Sequence, residues 1–366
     1  MDLMDNQSVF LNASAGRPAA KGMLSIGVDN LVSLLVFGLV FVLGVMGNSA
    51  VITVLLSRSE PGRPRGGTTN VFILNLSVAD LSYLLFCVPF QATIYMLPTW
   101  VLGAFLCKFT HYFFTVSMLV SVFTLSAMSV DRYVAIVHAR RSPAIRVARH
   151  AALGVLVIWV LSLGMAVPVA HYQRIVESGE NDTYCWEVWP DRHKKVYVVC
   201  TFVLGYLLPL TLISVCYAKV LNHLHKKLRN VSKTSQTSKK KTAQTVLVVV
   251  VVFGLSWLPH HVLHLWVEFG NFPLNQASFY FRMVAHCLAY SNSSVNPVIY
   301  AFLSENFRKS YRQMFRRCRR RAAAAVATSE PPPLHGASRA GDVRCRRCCC
   351  CCCSRGADTA PFRAES

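Results

Sequence analysis

Imidazole and carboxylate side chains recur at helical spacing in an otherwise apolar stretch, residues 242–270. With a rotation of about 100° per residue, a helix here would present one stripe. That stripe consists of Phe253, Trp257, His261, His264 and Glu268. Such groups bind metals, transfer protons or recognise ligands. Because polar groups are costly in hydrocarbon, the stripe must face other protein or water. Pro259 lacks an amide proton and is expected to kink the helix.

A zinc site is one interpretation, because His260 and His264 are four residues apart. The residue after His260 is His261, whereas metallohydrolases with the H-E-x-x-H motif carry a general-base glutamate there. A second interpretation is that each histidine is a hydrogen-bonded core residue. Their clustering favours a ligand pocket, and we predict no structural metal and no enzymatic activity.

A lone carboxylate, Asp80, stands within another apolar stretch. An ionisable residue inside a membrane segment is a functional-site hypothesis by default. Its candidate partners are Ser121, Asn292, Ser293 and Asn296. Oxygen ligands around one carboxylate suit a hard monovalent cation, here an allosteric sodium ion, or a cluster of water molecules. The alternative is a protonated aspartate in a hydrogen-bonded core.

The triplet Asp131-Arg132-Tyr133 closes a third apolar segment. From Cys107 to Arg132 a helix rises about 37 Å, enough to cross a bilayer core. Arg132 is therefore expected at the inner membrane boundary beside Asp131. It is either a positional switch or an anchor whose charged head snorkels to the lipid surface.

Seven apolar segments must position these groups. Of the 366 residues, 53% are hydrophobic and 15% are charged, and the polar residues are concentrated between long apolar runs. We predict an all-α membrane protein, a bundle of seven transmembrane helices with a short amphipathic eighth helix. The segments are approximately 30–57, 69–97, 104–138, 148–170, 194–224, 242–269 and 277–302.

The distribution of positive charge predicts the orientation. The net charge of +21 resides largely in short loops and in the C-terminal tail, including Lys239-Lys240-Lys241 before the sixth segment. The positive-inside rule explains this pattern better than nucleic-acid binding does, and it places the N-terminus outside and the C-terminus in the cytosol. Cys107 and Cys185 then lie outside, where a disulfide can persist. Candidate glycosylation sites are Asn6, Asn12 and Asn181.

The predicted organisation has four parts. Residues 1–29 form an extracellular tail, and residues 30–303 form the seven-helix domain. Residues 304–318 form an amphipathic helix on the lipid of the inner leaflet, ending at the palmitoylation candidate Cys318. Residues 319–366 form a disordered cytoplasmic tail of low complexity, with a run of cysteines at 348–353 whose role the sequence does not indicate.

Motifs distributed over all seven segments resemble those of rhodopsin-like (class A) G-protein-coupled receptors. They are Asn48, Leu76–Asp80, Asp131-Arg132-Tyr133, Trp159, Pro209 with Tyr217, Trp257-Leu258-Pro259 and Asn296–Tyr300. The resemblance covers residues 30–318, with one mild departure at Ser256, where the family usually has cysteine. It implies a disulfide between Cys107 and Cys185, and a core of Val122, Pro209 and Phe253 that repacks on activation. The remaining implied switch residues are Asp131, Arg132, Tyr133, Tyr217, Trp257, Asn296, Pro297 and Tyr300.

The predicted pocket excludes two ligand classes. The third segment has no acidic residue on its outer half, and Phe114 stands where receptors for monoamines carry a counter-ion. The seventh segment has no lysine for a retinal Schiff base. The predicted ligand-binding residues are Phe114, His260, His261, His264, Glu268, Phe279 and His286, which suit a peptide with aromatic anchors and a free amine.

The stretches 89–119, 256–270 and 285–309 resemble the galanin-receptor branch of the family. This implies galanin as ligand, an inhibitory (Gi/o) G protein that lowers cyclic AMP, and arrestin and receptor kinases as further partners.

Two other classes of membrane protein are less compatible with the pattern. A transporter predicts internal repeats and broken helices at mid-membrane, and no repeat is visible. An intramembrane metalloenzyme requires a ligand set with an open coordination position. The histidines are instead predicted near the outer rim, where no second metal-binding carboxylate converges on them.

Overall fold

The structure, a computed structural model, describes residues 28–57, 67–97, 99–178, 182–227, 233–273 and 275–303, with isolated helical positions at 308, 311–313, 316 and 319. Several predicted features lie outside the described residues. These are Asn6, Asn12, Asn181, Cys318, most of the amphipathic helix, the C-terminal tail beyond it apart from position 319, and the side chain of Phe279.

Ten helices lie within the described ranges. They are α1 Val28–Ser57, α2 Thr68–Phe86, α3 Val88–Met96, α4 Gly103–Val137, α5 Ser142–Ile145, α6 Ala148–Tyr172, α7 Asp191–Phe202, α8 Leu208–Lys227, α9 Lys233–Phe269 and α10 Gln276–Leu303. They make seven passes, called here spans 1 to 7. Span 1 is α1, span 2 is α2 followed by α3, span 3 is α4 and span 4 is α6. Span 5 is α7 followed by α8, span 6 is α9 and span 7 is α10. The helix of span 6 begins at Lys233 rather than at 242, because its polar first turns extend beyond the apolar stretch that predicts it.

Six of the described helical passes are apolar and long enough to cross a membrane, and span 7 is more polar. Its 28 residues nevertheless extend about 42 Å, which is sufficient. Its polar side chains Asn292, Ser293 and Asn296 are buried, so they face the bundle rather than lipid. By contrast, Leu39 of span 1 and Leu156 of span 4 are exposed, as expected for a lipid-facing surface.

Span 3 packs against several other spans. Asn75 of span 2 donates to Thr124 of span 3 at 2.8 Å and accepts the Trp159 indole N–H of span 4 at 2.8 Å. One apolar core cluster contains Val122 of span 3 with Phe253 of span 6, both fully buried. This core therefore joins the helices that carry the predicted switch residues.

Span 1 is attached to span 7 at a proline. Pro297 has no amide proton, so the carbonyl of Ser293, four residues earlier, loses its normal helical partner. The side chain of Asn48 donates to that carbonyl at 2.8 Å and is completely buried. The neighbouring Gly47 permits this approach, because a Cβ there would lie 2.8 Å from the Cβ of Pro297.

A β-hairpin follows span 4, where the sequence pattern predicts only a long loop. Strand β1, Gln173–Ser178, pairs antiparallel with β2, Asp182–Glu187. Cys185 on β2 forms a disulfide with Cys107 at the start of span 3. The hairpin also contacts the segment before span 3, since the Trp100 amide donates to the carbonyl of Thr183 at 2.6 Å. These contacts hold the hairpin to the end of the bundle that contains the histidines.

The Asn48 contact predicts a measurable contribution to stability. Replacing Asn48 with alanine should leave the Ser293 carbonyl buried without a partner, at a cost of about 1–3 kcal/mol. We expect a lower midpoint of thermal unfolding for the purified receptor in detergent.

The matched control is Thr53→Ala on the same helix, which removes an exposed hydrogen bond to the Ser49 carbonyl of 2.8 Å. Its unfolding midpoint should stay close to that of the original protein. Equal shifts for the two variants would contradict the role assigned to Asn48.

Candidate functional site

An aromatic and imidazole cluster lies between spans 3, 6 and 7. The Phe114 ring centroid lies 5.2 Å from His260, 5.4 Å from Trp257 and 5.6 Å from Tyr290. The His260 ring in turn lies 4.4 Å from His264 and 5.7 Å from His286. The structure therefore brings together four of the predicted ligand-binding residues, Phe114, His260, His264 and His286, and we call these rings with Trp257 and Tyr290 the Phe114 cluster.

Several buried nitrogens of this cluster have no hydrogen-bond partner among the described residues. They are Nδ1 of His260, Nε2 of His261, Nε1 of Trp257 and Nε2 of His111. Buried polar atoms are normally hydrogen-bonded, so a group of unpartnered donors and acceptors indicates a place where a ligand or water supplies the partners. The sequence pattern did not identify His111, because it stands alone among the aromatic residues of span 3.

The predicted ligand-binding histidines of span 6 face two different neighbours. His260 and His264 face the Phe114 cluster, whereas the His261 ring packs on span 5, 4.7 Å from Tyr206 and 5.8 Å from Phe202. Span 5 widens there into a π-helical turn, Val203–Leu207, ahead of Pro209. In this turn the Tyr206 hydroxyl donates to the carbonyl of Gly254 in span 6 at 2.8 Å. His261 therefore contributes to the contact between spans 5 and 6.

The predicted ligand-binding residue Glu268 is largely buried and ion-paired. Its side chain is only 9% exposed, and its carboxylate lies 3.6 Å from the ammonium of Lys194. Lys194 also contacts the carboxylate of Glu187 at 2.8 Å. The sequence pattern could not show this, because the three residues come from the hairpin, the start of span 5 and the end of span 6.

The described residues contain no group of three or more His, Cys, Asp or Glu side chains arranged to hold a metal ion. His260 and His264 are close to each other, and the other rings around His260 are aromatic side chains and further imidazoles. The rings and ring nitrogens of this cluster can stack on aromatic groups and form hydrogen bonds.

Asp80 is completely buried between spans 2 and 7. Its Oδ2 accepts a hydrogen bond of 2.9 Å from the side chain of Asn296, and the Ser293 hydroxyl approaches the same carboxyl group. Its Oδ1 has no hydrogen-bond partner among the described residues, and neither do the side-chain oxygens of Asn292 and Asn296. Ser121 of span 3 is also buried. Unpartnered oxygens around one carboxylate fit a small hard cation.

At the opposite end of the bundle, the Asp131 carboxylate joins three parts of the chain. It accepts 2.7 Å bonds from Arg132 and from Nε of Arg146, and a further bond from Nη2 of Arg146 at 3.2 Å. The hydroxyls of Thr68 and Thr69 at the start of span 2 also donate to it, the latter at 2.8 Å. Arg132 is 14% exposed and ion-paired, which disfavours the anchor interpretation.

The sequence pattern did not identify Arg146, Thr68 or Thr69 as partners of Asp131. Arg146 appears there only as one of several basic residues in the loop before span 4. Its bidentate contact with Asp131 depends on how α5 folds that loop back towards span 3.

The other predicted switch residues lie along the same core. Phe253, Trp257, Tyr217 and Tyr300 are buried members of the cluster that contains Val122. Pro209 and Pro297 are buried in spans 5 and 7. The Tyr133 ring is partly buried and contacts His138 at 5.2 Å, with the Lys219 ammonium 5.7 Å from its centroid.

Comparisons with known proteins agree with this architecture. The sequence matches the family model described as 7 transmembrane receptor (rhodopsin family) over residues 47–300. It is 72% identical to galanin receptor type 1 of Homo sapiens over 310 residues, covering 83% of this chain and 88% of that receptor. It is 71% identical to galanin receptor type 1 of Rattus norvegicus over 311 residues, covering 84% and 89%. Galanin receptor 2b of Danio rerio is 41% identical over 307 residues, covering 83% and 80%. The predicted fold class is confirmed, and the chain belongs to the rhodopsin family of seven-transmembrane receptors, which are multi-pass membrane proteins that transmit signals and are not enzymes.

Proposed function

We propose that this receptor binds galanin in the Phe114 cluster and activates an inhibitory (Gi/o) G protein, which lowers cyclic AMP. The observation that carries the proposal is the cluster of unpartnered buried nitrogens among aromatic rings, in a chain about 72% identical to receptors named for galanin. Arrestin and receptor kinases are proposed as further partners on the cytosolic side. The N-terminus is extracellular and the C-terminus cytosolic.

The pocket chemistry suits a peptide with aromatic side chains. Phe114 offers a ring edge and face, and His260, His264 and His286 offer ring nitrogens that donate or accept. Aromatic pairs of this kind contribute about 0.5–1.5 kcal/mol beyond the burial of their area. Phe114 and Trp257 are in contact at 5.4 Å, so a ligand that displaces Phe114 also acts on the indole of span 6.

The Asp131 contacts control the part of the receptor that acts on the G protein. While Arg132 is held by Asp131, its guanidinium is not available to a partner protein. Movement of span 6 on ligand binding opens the inner face of the bundle, and Arg132 then contacts the G protein. The allosteric sodium ion proposed beside Asp80 favours the inactive arrangement, through higher affinity for that state.

Two measurements test the function directly. Labelled galanin should bind membranes carrying the receptor saturably, and galanin should accelerate nucleotide exchange on purified Gi/o heterotrimer added to the receptor. Saturable binding without any exchange on Gi/o would contradict the coupling alone. Absence of specific binding to correctly folded receptor would overturn the ligand assignment.

Loss of a pocket histidine should weaken galanin binding. We expect His264→Ala and His261→Ala each to cost about 1–3 kcal/mol, the range for losing a buried polar partner. His264 should act directly through the cluster, whereas His261 acts through its contact with Tyr206. Competition binding with labelled galanin measures the change.

His150→Ala is the matched control. His150 is exposed at the beginning of span 4, at the end of the bundle opposite the hairpin, and should leave galanin affinity unchanged. If His264→Ala were as silent as His150→Ala at normal surface expression, the histidines would be ordinary core residues.

Removal of the Asp80 charge should abolish the response to sodium. In the original receptor, sodium chloride should reduce agonist affinity relative to choline chloride at equal ionic strength. Asp80→Asn should bind agonist equally in both salts, because the amide lacks the charge that holds the cation. A sodium effect of unchanged size in this variant would rule out the site.

The shape of the Arg132 side chain should matter more than its charge. Arg132→Lys keeps the positive charge but loses the planar set of donors. We expect agonist-stimulated nucleotide exchange to fall by about tenfold or more, the equivalent of one charge-assisted hydrogen bond, with galanin still bound. Full coupling in this variant would instead support the lipid-anchor interpretation.

A further inference from the structure

Three charged side chains meet at the outer end of the bundle, and we call Glu187, Lys194 and Glu268 the outer clamp. The Lys194 ammonium lies 2.8 Å from the carboxylate of Glu187 and 3.6 Å from that of Glu268. Glu187 is the last residue of β2, Lys194 belongs to the first turns of span 5, and Glu268 lies at the end of span 6. One cation therefore links the hairpin to the helix that carries the pocket histidines.

The surrounding contacts hold Glu187 in place. The Trp189 indole donates to its second carboxylate oxygen at 3.2 Å. Trp189 is itself packed between Tyr172 at 4.2 Å and Tyr197 at 4.9 Å. Glu187 is also close enough to His264 and His111 to interact with them electrostatically. It therefore lies over the pocket, although the sequence pattern does not mark it as a binding residue.

Lys194 already occupies both carboxylates of the clamp. Burial alone would raise the pKa of the Glu187 carboxyl, but Lys194, together with His264 and His111, holds that pKa below its usual range. Arg282 of span 7 adds a second cation near His264. Lys194 is the cation that contacts both carboxylates of the clamp. A positively charged group that enters here therefore competes with the Lys194 ammonium for the same carboxylate oxygens.

We propose that Lys194 is a built-in competitor for the cationic group of the peptide ligand, and that the ligand's α-ammonium displaces it from Glu187 and Glu268. This proposal rests on the proposed peptide-receptor function and adds Glu187 and Lys194 to its binding site. An α-ammonium and a lysine ammonium offer the same charge and the same three donors. When Lys194 releases the carboxylates, the start of span 5 is no longer tied to the hairpin and to span 6, so ligand binding becomes coupled to helix movement.

Removing Lys194 should raise the affinity for galanin, whereas removing a merely structural contact would leave that affinity unchanged or lower it. Lys194→Met leaves two carboxylates without their partner, one of them largely buried, and a ligand cation then satisfies them without displacing anything. We expect galanin affinity to rise by about three- to tenfold, in the range of a partly exposed ion pair. The gain should vanish for galanin whose α-amine is acetylated. Lys194→Arg, which retains a cation, should keep the original affinity.

The experiment is competition binding on full-length receptor in membranes, with surface expression measured for every variant. Lys195→Met is the matched control, because it removes an adjacent exposed lysine, and its affinity should not change. Adding Glu187→Gln to Lys194→Met should cancel the gain. Unchanged or lower affinity of a well-expressed Lys194→Met variant, or an equal gain for the acetylated peptide, would overturn the competitor role. Failure of the original receptor to bind galanin at all would instead refute the proposed function.

Discussion

A polar group enclosed by apolar helices and lipid must find its partner within the protein, and this constraint organises the structure. Asn48 meets it by bonding the carbonyl that Pro297 leaves unpaired, which holds span 1 to span 7. Asn75 meets it by connecting spans 2, 3 and 4. Since each such bond satisfies a group that would otherwise be costly to bury, it specifies which helices are neighbours. The apolar outer surfaces carry no such information, because lipid is as favourable a neighbour as another helix.

Where buried polar groups have no partner among the described residues, a ligand or an ion can supply one. The ring nitrogens of the Phe114 cluster and the oxygens around Asp80 are buried without partners among the described residues. The first group suits an organic ligand with aromatic and polar parts, and the second suits a small cation. Both border the same packed core, which runs from Trp257 through Phe253 to Val122. A change at either place alters the packing of span 6, because a close-packed core transmits displacement rather than absorbing it.

The two ends of the bundle use a similar electrostatic device. At the outer end one ammonium is shared by two carboxylates, and at the inner end one carboxylate, Asp131, is shared by two guanidiniums. At the outer end an incoming cation must replace the single ammonium, whereas at the inner end the release of one guanidinium leaves Asp131 paired with the other. Arg146 would still neutralise Asp131 if Arg132 moved away. This arrangement permits switching without leaving a buried charge alone.

The sequence by itself determined the number and type of the segments, because apolar length and the distribution of basic loop residues depend only on local composition. It also singled out His260, His264, Asp80 and Arg132 as candidates, since an ionisable residue is conspicuous against an apolar background, whereas Phe114 was singled out by the resemblance to the family. Only the tertiary structure decided four other features. They are the hairpin, the separate contacts that His261 makes with span 5, the burial of Glu268, and the ion pair between Arg146 and Asp131. Each of these depends on side chains that meet from distant parts of the chain, as Lys194 meets Glu187 and Glu268. Helical periodicity shows which face a residue occupies, but not which neighbour that face meets.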